Sequence, residues 1–232
     1  MQATTKSAPA GTMPARPRKE RSENAARRRG QLIAATTKSI VENGLARTTL
    51  ATVSAASGLS QGVAVFYFAN KEKLFAEVLR HHYELYERLW VSALAQAGDD
   101  PVRQLAALIR ADFDPAACNQ EALIVWYAFW GEAKARPRYA EISDIHDSRH
   151  SDAIRAACAR LLIEVGRSQE EADALGAGIE ALTDGLWHRI YLSHGTMSAR
   201  EGLRLAARFV ANIFPERGER LSAEILGTAQ EA

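Results

Sequence analysis

The sequence predicts an all-α protein with a small N-terminal head and a larger C-terminal helical body. Apolar residues recur at helical spacing along most of the chain, and no alternating pattern typical of a half-buried strand is visible. Capping residues and turn glycines separate the helical stretches at short intervals in the first third. The 232 residues are enough to bury a substantial core in one or two domains.

The chain begins with a stretch that has no helical pattern. Residues 1–22 are rich in Ala, Pro, Thr and Arg without apolar periodicity, so we expect a disordered basic tail. A helix is predicted from about Glu23 to Asn43, ended by Gly44, and its buried stripe is Leu32, Ile33, Thr36, Ile40 and Val41. This helix would cover the rear of a three-helix head that spans residues 23–74.

Three capped helices follow the first one closely. Thr48 or Thr49 can cap the first of them, because a threonine oxygen accepts a bond from the free amides of the opening turn. Gly58 can end it, since glycine adopts the left-handed conformation without steric cost. Ser60 caps a second short helix and Asn70 a third. This arrangement is typical of a helix-turn-helix, which places its second helix in a DNA major groove.

The body is predicted to begin with a long helix over residues 71–97 that links it to the head. Its inward side chains are expected to be Leu74, Val78, Leu85, Leu89 and Leu94. Further helices are predicted at about 101–111, 120–135, 139–165, 168–193 and 198–214. Capping boxes at Ser168 and Ser198 open the last two. We therefore predict an effector-binding and dimerisation body over residues 75–217 and a C-terminal tail over 218–232.

Charge is distributed unevenly along the chain. Residues 1–73 hold 12 Lys and Arg against 4 Asp and Glu, a balance of +8, whereas the remainder has a balance of −7. A basic front third beside a helix-turn-helix indicates a polyanion partner at one end only. The alternative is a solvated tail with a chance excess of arginine.

Composition argues against several other classes of protein. No run approaches the ~20 apolar residues that a membrane helix needs, and the start lacks the apolar core of a secretory signal. Cys118 and Cys158 fit no common zinc spacing and are expected to be reduced thiols. No phosphate loop or nucleophile motif is present in the sequence. We therefore expect a cytoplasmic protein without catalytic residues, metal, cofactor or membrane contact.

Two body helices carry aromatic side chains on one face each, together with one carboxylate: Trp126, Tyr127, Trp130, Asp184, Trp187 and Tyr191. If these faces meet, they enclose a cavity with aromatic walls and a single negative charge. Such a cavity suits a quaternary ammonium, whose methyl groups lie against ring faces. An aromatic stripe is, however, more often plain core, and Asp184 could instead pair with an arginine such as Arg189.

A possible metal pair lies between these helices. His146 and His150 are one helical turn apart, with Asp147 and Asp152 nearby, a spacing that can hold a metal ion. The stretch is so polar that we interpret it as a solvated helix face and predict no metal site.

Three segments carry a family resemblance. Residues 58–72, GLSQGVAVFYFANKE, resemble the TetR family of transcriptional repressors, and the order of the helices matches that family. Residues 126–130, WYAFW, and 182–187, LTDGLW, resemble the BetI-type repressors, which control conversion of choline to betaine. The similarity runs from about residue 28 to residue 215.

The resemblance implies a repressor that binds a palindromic operator as a symmetric dimer and is released by a small molecule. The dimer seam would be a four-helix bundle from residues 168–193 and 198–214, and the effector could be choline or a relative. The family motif places DNA contacts on Thr49, Ser60, Gln61, Gly62, Val63, Phe66, Tyr67 and Lys71. Val65 and Ala69 depart from the family pattern, in which tyrosine and a basic residue are common at these positions.

Two other functions stay open on the sequence. The chain could be an all-α small-molecule-binding protein or enzyme whose basic N-terminus is incidental. It could also be a TetR-type regulator of an unrelated apolar effector. Binding to duplex DNA at two salt concentrations separates the first from a repressor, because phosphate contacts make affinity salt-dependent.

Overall fold

The computed structural model describes residues 18–193 and 195–228, and in these ranges it is all-α, as predicted. Ten α-helices are found there: α1 Arg18–Arg47, α2 Leu50–Ser57, α3 Gln61–Phe68, α4 Lys71–Ala97, α5 Pro101–Asp112, α6 Gln120–Ala133, α7 Pro137–Glu164, α8 Ala172–Leu192, α9 Ala199–Ile213 and α10 Gly218–Leu226. Short 3-10 turns precede α8 and α10. In the described ranges, no helix has both the length and the apolar character needed to cross a bilayer.

The head packs α2 and α3 against α1 and the first turn of α4. Its core consists of Leu32, Ala35, Val53, Ala64, Phe68 and Leu74. Thr49 caps α2 through a reciprocal capping box with Thr52, while Thr48 is buried and donates its hydroxyl to the Gly44 carbonyl. Ser60 and Asn70 cap α3 and α4 as predicted. Local capping chemistry therefore sets the order and spacing of the head helices.

α1 belongs to both parts of the molecule. Leu32 is fully buried in the head core, whereas Ile40 is fully buried in the core of the body. The C-terminal half of α1 packs against α6. Gly44, at φ 75° and ψ 165°, interrupts the helical backbone before α2, where an L side chain would be strained. Head and body consequently share a continuous helix rather than a flexible linker.

The body surrounds α5 with α4, α7 and α10. The buried face of α5 includes Leu105, Leu108 and Ile109, which have no exposed surface. α6 and α8 lie beside α4 and α7, and they close the side on which the aromatic residues meet. This arrangement leaves a cavity between α4, α5, α6, α7 and α8.

The two ends of the chain differ from the sequence expectation. α1 begins at Arg18, five residues before the predicted start, and the rest of the predicted basic tail lies outside the described residues. The segment predicted as a C-terminal tail contains α10, whose Leu221 and Ile225 are fully buried. A Cβ at Gly218 would lie 2.7 Å from the Ala211 carbonyl oxygen, so glycine permits the close contact between α9 and α10.

Two local predictions in the body are wrong. Ser168 accepts a bond from Glu170 N, and the Glu171 carboxylate pairs with Arg167 instead of completing a capping box. On α4, Leu85 is 43% exposed, and the inward positions on that part of the helix are Tyr83 and Trp90. The spacing of the leucines did not predict the buried face there, because two large aromatic side chains occupy it. The second capping box, Ser198 with Glu201, is present as predicted.

Candidate functional site

The outward face of α3 carries most of the residues that the sequence placed on DNA. Ala64 and Phe68 are buried against the head core, which orients the helix. Gln61, Gly62 and Phe66 point away from that core and are exposed, Phe66 by 81%. A short helix that is anchored on one face leaves its other face free to enter a major groove.

The remaining predicted contacts lie around α3. Ser60 precedes it and is exposed, while Val63 and Tyr67 are half-buried on its flanks. Thr49 is exposed at the start of α2, although its hydroxyl oxygen also accepts the Thr52 amide at 3.2 Å. Lys71 opens α4, and its ammonium lies 5.0 Å above the Phe75 ring. Five of the eight residues therefore lie on α3 itself and Ser60 caps it, whereas Thr49 caps α2 and Lys71 lies beside residues of α6 and α7.

Arg29 of α1 connects three helices at the end of α3. Its guanidinium donates to the Tyr67 carbonyl oxygen at 3.3 Å and to Glu77 Oε2 of α4 at 2.9 Å. The same group lies 4.7 Å above the Phe68 ring. In the sequence, Arg29 is one of the 12 Lys and Arg residues of the basic front third. In the structure it is a positioning residue for α3, because it fixes the C-terminal end of that helix against α1 and α4.

A second candidate site is a cavity of about 380 Å³ inside the body. Its lining residues are Tyr83 and Tyr86 of α4, Asp112 of α5, Trp126 and Trp130 of α6, Asp147, His150 and Ser151 of α7, and Ala177, Glu180, Ala181, Thr183, Asp184 and Trp187 of α8. This volume lies at the lower end of the range for small-molecule sites. Five helices contribute to it, so its shape depends on how they pack.

Aromatic rings form one side of the cavity. The Trp126 and Trp130 rings stack with their centroids 5.8 Å apart, and Trp187 lies 6.3 Å from each of them. Tyr83 is 4.7 Å from Trp126, and Tyr86 is 5.9 Å from Trp187. The Trp187 indole N–H donates to the Asp112 carbonyl at 2.8 Å, which holds this ring in place. Ring faces arranged around one space attract an organic cation.

Four carboxylates line the same cavity. Asp112 is buried at the floor, Glu180 is half-buried, and Asp147 and Asp184 are exposed at the mouth. The Tyr86 hydroxyl donates to Asp112 Oδ1 at 2.5 Å, and the Tyr83 hydroxyl donates to Asp147 Oδ2 at 3.2 Å. Burial raises the pKa of Asp112 to about 7, because the charged form loses its hydration. The cavity is therefore acidic, and its deepest carboxylate is the one most affected by burial.

The two histidines of α7 are not on a solvated face, so that interpretation is wrong. His150 is 7% exposed, with Nε2 3.5 Å from Asp112 Oδ1 and Nδ1 3.9 Å from Glu180 Oε1. His146 stacks on Tyr83 and bonds Glu87 at 2.9 Å. Burial lowers the pKa of His150 to about 4, so the ring is neutral at pH 7. Within the described residues, no three His, Cys, Asp or Glu side chains are grouped as metal ligands.

The structure brings together four of the six residues that the sequence grouped in an effector cavity. Trp126, Trp130, Asp184 and Trp187 line it, whereas Tyr127 and Tyr191 stack on each other at 4.6 Å outside its lining. The latter two lie on the adjoining faces of α6 and α8, where they connect these helices. Helical spacing alone could not separate the two sets, because both lie within one broad helix face.

Several lining residues were not foreseen from the sequence. Tyr83 and Tyr86 lie on the long helix α4, and Asp112 is the last residue of α5, whose other buried residues are apolar. A carboxylate at the end of a buried helix was a usable signal, because such a group needs a partner. The tyrosines and His150 gave no comparable signal, since polar neighbours surround them in the sequence.

Comparison with protein families gives two matches that together cover most of the chain. Residues 32–78 match the model described as bacterial regulatory proteins of the tetR family. Residues 101–215 match the model described as the C-terminal domain of BetI-type transcriptional repressors. The first match contains the helix-turn-helix and the second contains α5 to α9, so both candidate sites fall largely within matched regions.

Individual relatives agree with these matches. The HTH-type transcriptional regulators BetI of Stenotrophomonas maltophilia and Burkholderia thailandensis are each 33% identical, over 79% of this chain and 91% of theirs. A transcriptional regulator of Pseudomonas aeruginosa superimposes with a TM-score of 0.74 at 23% identity, over 84% of this chain and 94% of that one. One from Saccharomonospora viridis, solved in complex with choline, gives 0.71 at 20% identity, over 80% and 96%. The chain belongs to the TetR family of transcriptional regulators, with a C-terminal domain of the BetI type.

Proposed function

We propose that this regulator represses transcription as a homodimer on a palindromic operator and leaves the DNA when a quaternary ammonium compound, such as choline, enters the cavity. The observation that carries the effector assignment is the combination of five aromatic rings and four carboxylates around one space. In the described part of the chain, no lysine or arginine lines that space. A cation is the ligand charge that this lining favours.

The effector site proposed from the structure differs slightly from that proposed from the sequence. Trp126, Trp130 and Trp187 would contact the alkyl groups of the ammonium, and Asp184 would approach its charge from the mouth. Tyr83, Tyr86 and Asp112 join this site because they line the same cavity. Tyr127 and Tyr191 would act indirectly, by holding α6 against α8. The choline bound by the Saccharomonospora viridis protein of the same fold supports a cation of this class.

The DNA site is proposed on the exposed face of α3. The Gln61 amide can pair with the edge of an adenine, and Val63 can pack on a thymine methyl group. Tyr67, Thr49 and Lys71 would contact phosphates, which fix register without reading sequence. Two heads are needed for specificity, so the recognition helices of a dimer would enter major grooves roughly 34–36 Å apart, or a multiple of that distance.

Induction would occur by a shift between two head arrangements. α4 begins next to α3 and carries Tyr83 and Tyr86 into the cavity, so a ligand that repositions these rings also moves the start of α4. The effector changes the equilibrium only by binding the DNA-free arrangement more tightly. We propose that the protein acts in the cytoplasm by binding alone, without catalysis.

A matched pair of ligands tests the effector assignment. Choline and 3,3-dimethylbutan-1-ol have the same shape, but only choline is charged. We expect choline to raise the melting temperature and to release a fragment of the DNA upstream of the chain's own gene. The neutral alcohol should do neither at the same concentration. Stabilisation and DNA release by the neutral compound alone would contradict the cation assignment and indicate a regulator of an apolar effector.

A further inference from the structure

The cavity contains more negative charge than a single ammonium ion balances. Asp112 lies at the floor, whereas Asp147 and Asp184 lie at the mouth, so the carboxylates occupy different depths. His150 stays neutral at pH 7 because burial lowers its pKa to about 4. One cation close to Asp112 leaves the mouth carboxylates unbalanced. One cation at the mouth leaves Asp112 either as a buried anion without a counter-charge or, because its pKa is about 7, as a protonated acid.

Asp112 also lacks one hydrogen-bond donor. Its Oδ1 accepts the Tyr86 hydroxyl, but its Oδ2 is completely buried and accepts no well-formed hydrogen bond among the described residues, because the neighbouring Thr183 hydroxyl donates to the Glu180 carbonyl instead. Asp112 is itself only 2% exposed and lines the cavity. Buried carboxylate oxygens normally accept at least one bond. A quaternary ammonium has no N–H group, so it cannot supply the missing donor.

We propose that the effector is an organic dication, with a quaternary ammonium against the tryptophan rings and a second, N–H-bearing ammonium that donates to Asp112 Oδ2. This inference rests on the proposed function, because it assumes that the cavity is the effector site. It extends that function from a class of monocations to ligands with two separated positive centres.

The size and layout of the cavity support a ligand longer than choline. A volume of about 380 Å³ corresponds to roughly a dozen water-sized groups, against the handful of non-hydrogen atoms in choline. On α8, Glu180 and Asp184 are one helical turn apart, a rise of about 6 Å. Among the described residues, no three His, Cys, Asp or Glu side chains are grouped closely enough to hold a metal ion. An extended organic cation fits this layout better than a metal ion.

The test compares two ligands that differ in one group. 3-(Trimethylammonio)propan-1-amine and 3-(trimethylammonio)propan-1-ol share a three-carbon spacer, which keeps the primary amine protonated at pH 7.5 despite the nearby positive charge. We expect the diamine to bind with a dissociation constant about tenfold lower or more, by titration calorimetry at constant ionic strength. Tetramethylammonium chloride at equal charge concentration controls for unspecific ionic effects.

Two substitutions test whether the second ammonium group binds at Asp112. Asp112→Asn should remove the advantage of the diamine over the alcohol, whereas Asp152→Asn, an exposed α7 carboxylate paired with Arg155, should preserve it. Equal or weaker binding of the diamine in the unmodified protein would overturn the inference while choline binding still supports the proposed function. Failure of every cation would instead contradict the proposed function itself. If Asp112→Asn does not fold, the comparison of the diamine with the alcohol in the unmodified protein still tests the inference.

Discussion

Gly62, in the first turn of α3, has no packing role in the head. A Cβ built on it would meet only Ser60 Oγ, at 3.7 Å, which is ordinary van der Waals contact. Its backbone is helical and its φ is not positive. Alanine would therefore fit the folded head, and the helix would favour it. We propose that glycine at this position allows the backbone to approach DNA closely, because α3 is the second helix of the helix-turn-helix.

We predict that Gly62→Ala raises stability but weakens operator binding. The gain should be about 0.5–1 kcal/mol, because alanine loses less backbone entropy in a helix. The added methyl group should separate α3 from the groove and lower affinity. Thermal unfolding and fluorescence anisotropy with labelled operator measure the two effects. Gly131→Ala in α6, which also has open space around it, should stabilise without affecting DNA binding.

We expect Asp112 to make effector affinity depend on pH. Its raised pKa of about 7 means that the empty cavity holds a proton on this group below neutral pH. A bound cation favours the ionised carboxylate, so the ligand must displace that proton and affinity falls as pH falls through 7. The pKa of His150, lowered to about 4, keeps it neutral across this window. Burial raises the pKa of Asp147 and that of Asp184 to about 6, so these two carboxylates add a smaller pH dependence at the lower end of the window, and Glu180 faces the same space.

We therefore predict that a permanently charged ligand such as choline binds about tenfold more tightly at pH 8 than at pH 6. Calorimetry in buffers of different ionisation enthalpy should also detect proton release at pH 6.5. Asp112→Asn should bind more weakly and lose most of this pH dependence. If the affinity of the Asp112→Asn variant for choline still falls with pH to the same extent, the pH dependence comes from the carboxylates at the mouth and not from Asp112.

The position of α3 as an element depends on its C-terminal connection. Ala69 ends the helix at φ 63° and is the only non-glycine residue with a positive φ in the described chain. The backbone N–H of Asn70 donates to the Phe68 carbonyl oxygen at 2.7 Å, and this bond closes a three-residue turn around Ala69. This tight connection leaves little freedom between α3 and α4. Arg29 adds a second constraint by joining the same end of α3 to α1 and α4.

We predict that Arg29→Lys weakens operator binding about fivefold, while the protein stays folded. Lysine keeps the charge but cannot hold Tyr67, Glu77 and the Phe68 ring at once with one planar group. Arg80→Lys is the matched control, because Arg80 pairs with the same Glu77 and makes no bond to α3. If Arg29→Lys and Arg80→Lys weaken DNA binding equally, the lost ion pair with Glu77, and not the lost contact with α3, explains the weaker binding.

The whole molecule is expected to act as a dimer through α8 and α9. Both helices expose large apolar side chains, Leu192 by 54% and Phe209 by 57%. Exposed apolar surface on a soluble protein commonly marks an interaction site. The cavity is lined by residues of α4 to α8, and Phe209 of α9 is not among them. We therefore predict that a substitution at Phe209 affects dimerisation without removing effector binding.

Phe209→Asp should give a monomer that still binds the effector but loses operator affinity. A charge in a two-fold interface faces its own copy, so it is repelled and desolvated at the same time. Sedimentation analysis, calorimetry and anisotropy measure the three properties. Ile163→Asp places the same charge on α7 at a position of equal exposure, 57%, and should leave the dimer intact. If Ile163→Asp were monomeric, the dimer interface would include α7 and our assignment to α8 and α9 would be wrong.

Some features of this protein were determined by local sequence alone. Caps at Thr49, Ser60 and Asn70 and the turn at Gly58 define the helix-turn-helix, and each acts through neighbours no more than a few residues away. Such short-range hydrogen bonds and backbone preferences can be identified without knowing the fold. The family resemblance was visible for the same reason, because its motifs lie within short continuous segments.

The cavity, in contrast, was decided by tertiary structure. Trp126 and Trp187 were foreseen as facing residues, but only the packing of five helices added Asp112, Tyr86 and His150 and moved Tyr127 away from the lining. A helix face is wide enough to hold both cavity and contact positions, and periodicity does not distinguish them. Which carboxylates are buried, and hence their charge at neutral pH, depends on helices distant in sequence. That long-range burial is the part of the chemistry that no local pattern encodes.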